Sequence, residues 1–117
     1  MNPTLIKAYV ASSAIRAGQI VKFGDADGHV VPSTGADDLS IGVADVLDVG
    51  AGDRLDVIRA GIAQVKFGGD VARGEPVTAN ADGCAVRAAA GNHIIGFAED
   101  SAQAGDIAPV MLAFGKY

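Results

Sequence analysis

The stretch Ile41-Gly42-Val43-Ala44-Asp45 returns later in the chain as Ile95-Gly96-Phe97-Ala98-Glu99. Three other short features also occur twice, and the four features follow the same order in both parts of the chain. The three are a Gly-led strand start at residues 18–21 and 74–77, Ala-Asp-Gly at 26–28 and 81–83, and Ala-Gly-Asp at 51–53 and 104–106. The ordered series predicts one β-rich unit that is used twice, over residues 16–60 and 72–114.

Alternation of polar and apolar residues indicates strands around the repeat. Residues 54–57, Arg-Leu-Asp-Val, alternate with a period of two, which is typical of a half-buried strand. Asp27-Gly28 lies between two runs rich in β-branched residues, a strong signal for a β-hairpin turn. No segment has the pattern and length of an ordinary helix. We therefore predict an all-β fold, a small β-barrel or β-sandwich built from two pseudo-repeated β-hairpin units.

Two further positions carry structural expectations. Gly42 and Gly96 occupy the same place in the two copies, and we expect them to let neighbouring chain segments approach closely in one shared core. Residues 107–114 form the last predicted strand, and Pro109 places that strand at an edge or at a bulge, because proline cannot donate a ladder hydrogen bond.

The first ten residues are predicted to form an extended N-terminal arm, followed by a single β domain over residues 11–117. Pro3 disfavours a helix across this segment, and Leu5, Ile6, Tyr9 and Val10 are more apolar than a solvated tail. Two interpretations stay open. The segment is either an edge strand on the body of the domain or an arm that docks on a neighbouring chain.

Composition narrows the class of protein. Half of the 117 residues are hydrophobic but only 5% are aromatic, so the core must be built from Val, Ile, Leu and Ala. The net charge of −5 disfavours nucleic acid or an anionic membrane as a partner. Cys84 is the only cysteine, which excludes an intramolecular disulfide. No apolar run resembles a signal peptide or a membrane span, and we expect synthesis in the cytoplasm of the producing cell.

The sequence offers no convincing catalytic, cofactor-binding or metal site, and we predict that the protein is not an enzyme. His29 and His93 lie at unmatched positions of the two copies, so the repeat does not pair them. Asp25-Ala26-Asp27-Gly28 begins like a calcium loop but lacks the distal glutamate, which favours a hairpin turn. The other carboxylates fall mostly in turns, where solvated acids are common. Cys84 has no Cys-x-x-Cys partner, and no Gly-x-Ser-x-Gly elbow is present.

Several stretches resemble the small capsid cement, or head decoration, proteins of tailed bacteriophages and prophages. The likeness covers nearly the whole chain and is carried by turn and strand motifs rather than by catalytic ones. The stretches that carry it are residues 16–24, 41–45, 52–57, 61–63, 73–78, 81–83 and 95–98.

The resemblance implies a structural virion protein that binds the outer surface of the phage capsid and stabilises the shell of major capsid protein. It also implies a homo-oligomer, a dimer or a trimer, made in the bacterial host cytoplasm and without cofactor. Leu5, Ile6, Tyr9 and Val10 are then the candidates for contact with the capsid or with a sister subunit. The alternative function is a small-molecule or carbohydrate-binding β module without catalysis, although the scarcity of Trp and Tyr weighs against sugar stacking.

Overall fold

The computed structural model describes residues 4–45 and 48–117, and these residues form ten β-strands. Residues 1–3 of the predicted arm lie outside the described residues. The strands are β1 (Leu5–Ala11), β2 (Ile20–Phe23), β3 (His29–Pro32), β4 (Ser40–Ala44), β5 (Arg54–Ala60), β6 (Ile62–Lys66), β7 (Pro76–Ala79), β8 (Ala85–Arg87), β9 (His93–Ala98) and β10 (Ile107–Lys116). The prediction of an all-β protein is confirmed.

The strands build two five-stranded sheets. Sheet 1 is a closed barrel with the order β1-β3-β2-β4-β5, in which β5 returns to pair with β1. Sheet 2 has the order β6-β10-β9-β7-β8. All pairings between named strands are antiparallel except that of β1 with β3. In sheet 2, an isolated parallel bridge joins Phe67, just after β6, to Ala85 of β8.

The strands of the two sheets have the same neighbours when five is added to each strand number of sheet 1. Read around the closed sheet from β3, the order β3-β2-β4-β5-β1 becomes β8-β7-β9-β10-β6, which is the order of sheet 2 in reverse. Main-chain hydrogen bonds also recur at matched positions. Gly18 N donates to Ala44 O at 3.0 Å, as Gly74 N donates to Ala98 O at 2.8 Å. This correspondence is a property of the strand network, while the sequence repeat over residues 16–60 and 72–114 stays a prediction.

Asp-Gly pairs lie in the turns of two hairpins, and the one at Asp27-Gly28 is the hairpin that the sequence predicts. Gly28 has a φ of 75° and Gly83 a φ of 73°, a left-handed backbone that glycine adopts without steric cost. His29 N donates to Ala26 O at 3.2 Å, and β2 then pairs antiparallel with β3. The loop at 25–28 is therefore a hairpin turn.

The core consists of two clusters rather than the single shared one that was expected. The first cluster fills the interior of sheet 1 and includes Ile41 and Val57. The second cluster fills sheet 2 around Phe67 and Ile95 and also takes in Val43 from sheet 1. The duplicated strands β4 and β9 thus place their matched isoleucines in different clusters.

Gly42 and Gly96 allow the close approach that was predicted at these positions. A Cβ on Gly42 would lie 2.5 Å from Ile58 O, and a Cβ on Gly96 would overlap Met111 O. Both contacts are with the backbone of the neighbouring strand, which cannot move aside as a flexible side chain can.

Residues 5–10 do not form a separate arm. They belong to β1, which pairs with β5 from Leu5↔Ala60 to Val10↔Arg54. Strand pairing satisfies backbone groups that an arm in water would leave to solvent, and Tyr9 enters the first cluster. Of the two open interpretations, the geometry corresponds to a strand on the body of the domain.

Pro109 lies neither at a sheet edge nor at the bulge of β10. Strand β10 is flanked by β6 and β9, and its register shift falls between Leu112 and Gly115. Pro109 pairs with Gln64 on the β6 side, whereas the pairing with β9 begins only at Val110. Glu99 N, directly after β9, donates to Pro109 O at 3.0 Å, so the main chain of Pro109 faces Glu99 and its missing N–H falls just beyond the end of β9.

Candidate interaction surface

The four candidate contact residues lie on one strand but differ in exposure. Leu5 is 60% exposed and Ile6 is 47% exposed, whereas Tyr9 is buried and Val10 is half-buried. Of the four, Leu5 and Ile6 are therefore the exposed apolar residues. Sequence reasoning grouped the four by hydrophobicity, but β1 is exposed over residues 5–8 and becomes covered from Tyr9 onward, which separates them.

The start of β1 has one strand neighbour instead of two. Within the described residues, β3 pairs with β1 only at Val10 and Ala11, while β5 runs along the whole strand. Val10 N donates to Gly28 O, so the even-numbered residues direct their main-chain groups towards β3. Ile6 and Ala8 lie beyond the end of β3, and this part of the edge is open among the described strands.

An aromatic and basic cluster lies next to this edge. Arg59 of β5 donates from Nη1 to the hydroxyl of Tyr9, and its guanidinium lies 5.8 Å from the centre of the exposed Phe23 ring. The rings of Tyr9 and Phe23 meet edge to face at 6.4 Å, and Lys7 lies over the Tyr9 ring. These contacts fix Phe23 at the surface although its side chain is 58% exposed.

A second apolar surface crosses the outer face of sheet 2. Four residues in register on neighbouring strands form it, and we refer to them as the outer row. The pairs are Pro76↔Phe97, Phe97↔Met111 and Met111↔Ile62. Phe97 and Met111 are each 41% exposed, and Ile62 and Pro76 are half-buried. Sequence reasoning missed this row because cross-strand register cannot be read from one strand at a time.

A polar cleft of about 610 Å³ lies between the sheets. Its wall includes Arg16, Gln19, Lys66, Asn80 and Cys84. Burial raises the pKa of the Cys84 thiol, against the opposing effect of the Lys66 ammonium. The cleft is lined by neither of the two histidines.

The histidines and turn carboxylates have structural partners. His29 Nδ1 lies 3.2 Å from Ser12 Oγ, and His93 donates its backbone N–H to Ala36 O. Asp53 Oδ2 accepts from Gly50 N, and Asp106 Oδ2 accepts from Gln103 N, both at 2.9 Å. These carboxylates therefore stabilise turns by local hydrogen bonds.

Hydrogen bonds lower the pKa of the Asp38 carboxyl. Thr34 donates its backbone N–H to Asp38 Oδ2 at 2.7 Å, and this bond favours the ionised form. Lys22 Nζ forms an ion pair with the same oxygen at 3.1 Å. The pair joins β2 to the loop before β4.

Neither a metal site nor a membrane span is seen in residues 4–45 and 48–117. No group of three or more His, Cys, Asp or Glu side chains there is arranged to hold a metal ion. No helix in that part of the chain has the length and apolar character to cross a membrane.

The sequence profile of the phage cement protein family matches residues 2–112. The chain belongs to the phage cement protein family. Cement proteins are phage structural proteins and components of the virion. Among curated proteins, none matches this sequence.

The fold of this cement protein has a counterpart among solved structures. The crystal structure of the head fiber gp8.5 N base in bacteriophage phi29 superimposes with a TM-score of 0.78. The comparison covers 98% of both chains, and 22% of the residues are identical. The likeness concerns the fold and carries over no residue role. Surfaces of this cement protein must therefore be assigned from its own side chains.

Proposed function

We propose that this cement protein binds the outer surface of a phage capsid and stabilises the shell formed by the major capsid protein. The observation that carries the proposal is the family match over residues 2–112. The protein acts by binding and not by catalysis, and it needs no cofactor. It is made in the bacterial host cytoplasm and functions on the virion surface.

Repetition explains how a chain with modest apolar surfaces stabilises a shell. Each bound copy ties together the capsid subunits beneath it, and the lattice repeats the contact many times. When several weak contacts are linked through one assembly, their combined strength far exceeds that of one contact. The rigid double-sheet body suits this role, because little conformational entropy is lost when a preformed surface binds.

Leu5, Ile6, Tyr9 and Val10 are the proposed contact segment, facing either the capsid or a sister subunit. Leu5 and Ile6 supply the accessible apolar side chains. Tyr9 and Val10 act through the strand, because Tyr9 fixes Arg59 and Phe23 beside the contact. Since β1 is a barrel strand, substitutions of exposed side chains test this segment better than deletion of residues 1–10.

Cosedimentation with undecorated, expanded heads tests the proposal. Heads of the phage whose genome encodes the chain are mixed with purified protein and pelleted. We expect saturable recovery of the protein with the heads and a higher temperature for shell disruption. Unassembled capsid protein and DNA serve as control ligands, and the acidic chain is expected not to bind DNA. Protein that stays in the supernatant at all concentrations would refute the proposal.

The alternative, a small-molecule or carbohydrate-binding β module, has the polar cleft in its favour. However, Phe67 is the aromatic residue of the cleft wall and is only 1% exposed, so it offers no open ring face for a sugar. Capsid binding is therefore the better-supported function. The preference would be reversed if the protein did not bind heads and if a sugar caused saturable shifts in the NMR resonances of the cleft residues.

A further inference from the structure

The outer row of sheet 2 has a counterpart in sheet 1. The corresponding strands of sheet 1 carry the register pairs Ile20↔Val43, Val43↔Ile58 and Ile58↔Ile6. Strand by strand, these pairs match Pro76↔Phe97, Phe97↔Met111 and Met111↔Ile62. Both sheets thus display an apolar row across the same four strands.

The two rows differ in what covers them. Ile20 and Val43 are fully buried, Ile58 is 9% exposed, and all three belong to the core cluster of sheet 2. Phe97 and Met111, which correspond to Val43 and Ile58, are exposed. The chain therefore buries such a row once, between its own two sheets, and leaves the second row open.

Sheet 2 covers the row of sheet 1 with two elements. One is strand β6, whose Ile62 lines a small cavity together with Ile58 and Ile107. The other is the β7–β8 turn, where Gly83 O accepts from Ile20 N at 2.8 Å. Gly83 is buried by this contact.

The matching elements of sheet 1 are uncovered. Strand β1 corresponds to β6, and its Leu5 and Ile6 are exposed. The β2–β3 turn corresponds to the β7–β8 turn, and nothing lies within 4 Å of the position of a Cβ on Gly28. The chain thus displays both halves of an interface that it already forms internally.

We propose that a second copy of this chain covers the outer row, by packing its Leu5 and Ile6 against Phe97 and Met111. This inference deepens the proposed function, on which it rests, by assigning the β1 segment to the sister subunit. Ile62 belongs both to the outer row and to the interface between the sheets, so the new contact continues an existing one. Burial of these four apolar side chains supplies the driving force.

Side chains rather than main-chain bonds carry this contact. Pro76 stands where Ile20 donates its N–H in the inner interface, and proline has no N–H. Val10 N occupies the same place in β1 as Lys66 N does in β6, but it already donates to Gly28 O of its own chain and cannot bond to a second copy. The contact is head to tail, because it joins two different surfaces, and it closes into a ring when the rotation between copies permits.

Analytical ultracentrifugation of the full chain tests the proposal. We expect an oligomer of discrete mass, a small multiple of 11.7 kDa, that dissociates at least tenfold more readily in Phe97→Lys/Met111→Lys and in Leu5→Lys/Ile6→Lys. Leu39→Lys is the matched control, since Leu39 is 73% exposed and lies outside both surfaces. The pair Phe97→Thr/Met111→Thr keeps strand propensity if the lysine variants fail to fold. A wild-type chain that stays monomeric, or variants that dissociate no more readily, would overturn the proposal.

Mixing the two lysine variants separates head-to-tail contact from symmetric contact. Each variant retains the half that the other has lost, so the mixture is expected to form a one-to-one complex while each variant alone is monomeric. Absence of that complex contradicts the head-to-tail arrangement. So does an oligomer that dissociates with Phe97→Lys/Met111→Lys but not with Leu5→Lys/Ile6→Lys.

Head binding is measured separately. Wild-type protein that pellets with heads but is monomeric in solution and insensitive to both variants refutes this inference and leaves the proposed function intact. An oligomer that follows the expected pattern but never binds heads refutes the proposed function alone.

Discussion

Phe97 of β9 lies directly opposite Met111 of β10, and each side chain is 41% exposed on the outer face of sheet 2. Val43 and Ile58 form the corresponding pair of sheet 1, and there the valine is fully buried and the isoleucine nearly so. Two equivalent places in the strand network thus have opposite environments. Under the proposed function the exposed pair is available to a neighbouring molecule, whereas the buried pair holds the two sheets together.

Gly96→Ala should strongly destabilise the protein. An added Cβ would overlap Met111 O and approach Leu112 Cα, both in the backbone of the paired strand. Overpacking of this kind costs about 1–3 kcal/mol, and a backbone clash favours the upper end. Chemical denaturation measures the loss.

Gly115→Ala is the control for this change on strand β10, because nothing lies within 4 Å of its added Cβ. We expect its stability to stay within about 0.5 kcal/mol of wild type. Equal effects of the two substitutions would contradict the close approach at Gly96.

Removal of the Arg59 side chain should loosen the end of the barrel beside β1. Arg59→Ala deletes the hydrogen bond to Tyr9 and the cation over the Phe23 ring. We expect a loss of about 1–2 kcal/mol from these two contacts together. Arg54→Ala, at an exposed position of the same strand, should change stability by less than about 0.5 kcal/mol. Thermal unfolding measures the stability of both variants. A larger loss of stability in Arg54→Ala than in Arg59→Ala would contradict the stabilising role of the Arg59 contacts.

Asp38 should contribute stability that disappears in acid. Its pKa is lowered in the folded state, chiefly by the backbone N–H of Thr34. The contribution is complete above the ordinary value of 3.8 and is lost as the pH falls through the lower, folded-state pKa. Because the side chain is partly solvated, we expect Asp38 to contribute less than about 1 kcal/mol to the free energy of unfolding at neutral pH.

Asp38→Asn should therefore be less stable than wild type at pH 7, with a difference that shrinks as the pH falls below 3.8. Asp37→Asn, at the neighbouring exposed carboxyl, is the control and should change the stability at pH 7 by less than about 0.5 kcal/mol. A difference between Asp38→Asn and wild type that grows in acid would reverse the sign of this account. Urea denaturation at a series of pH values measures it.

The Cys84 thiol should react slowly in the folded protein. Burial raises its pKa and the side chain is half-buried in the cleft, so the thiolate fraction at neutral pH is smaller than that of an ordinary cysteine. We expect slower labelling by a thiol reagent than in the urea-unfolded chain, and a rate that rises towards alkaline pH. Labelling at the unfolded rate at pH 7 would contradict the burial of this group.

Local patterns were sufficient to predict the strands and turns of this fold. The Asp-Gly turn at Gly28 and the strand pattern at residues 54–57 depend on neighbouring residues, and these predictions are confirmed. Pro109 shows where local reasoning fails. Proline is tolerated at this position because the pairing of β10 with β9 begins only at Val110. The end of β9 cannot be predicted from the sequence of β10.

The candidate surface was predictable only in part. Leu5 and Ile6 were selected as apolar residues near the terminus, and both are exposed; their contact with a partner stays a prediction. The outer row was missed because it joins four strands through register, and Phe97 looked like an ordinary core residue of a repeated strand. The outward position of Phe97 follows from the pairing of Gly96 with Leu112, which sequence alone does not supply.

Cryo-electron microscopy of heads before and after addition of the protein shows whether it binds the outside of the shell. We expect new, symmetrically repeated density there, into which copies of the 35 × 32 × 24 Å body fit. A reconstruction that shows a bare outer surface at saturating protein, or density only inside the shell, would contradict this expectation.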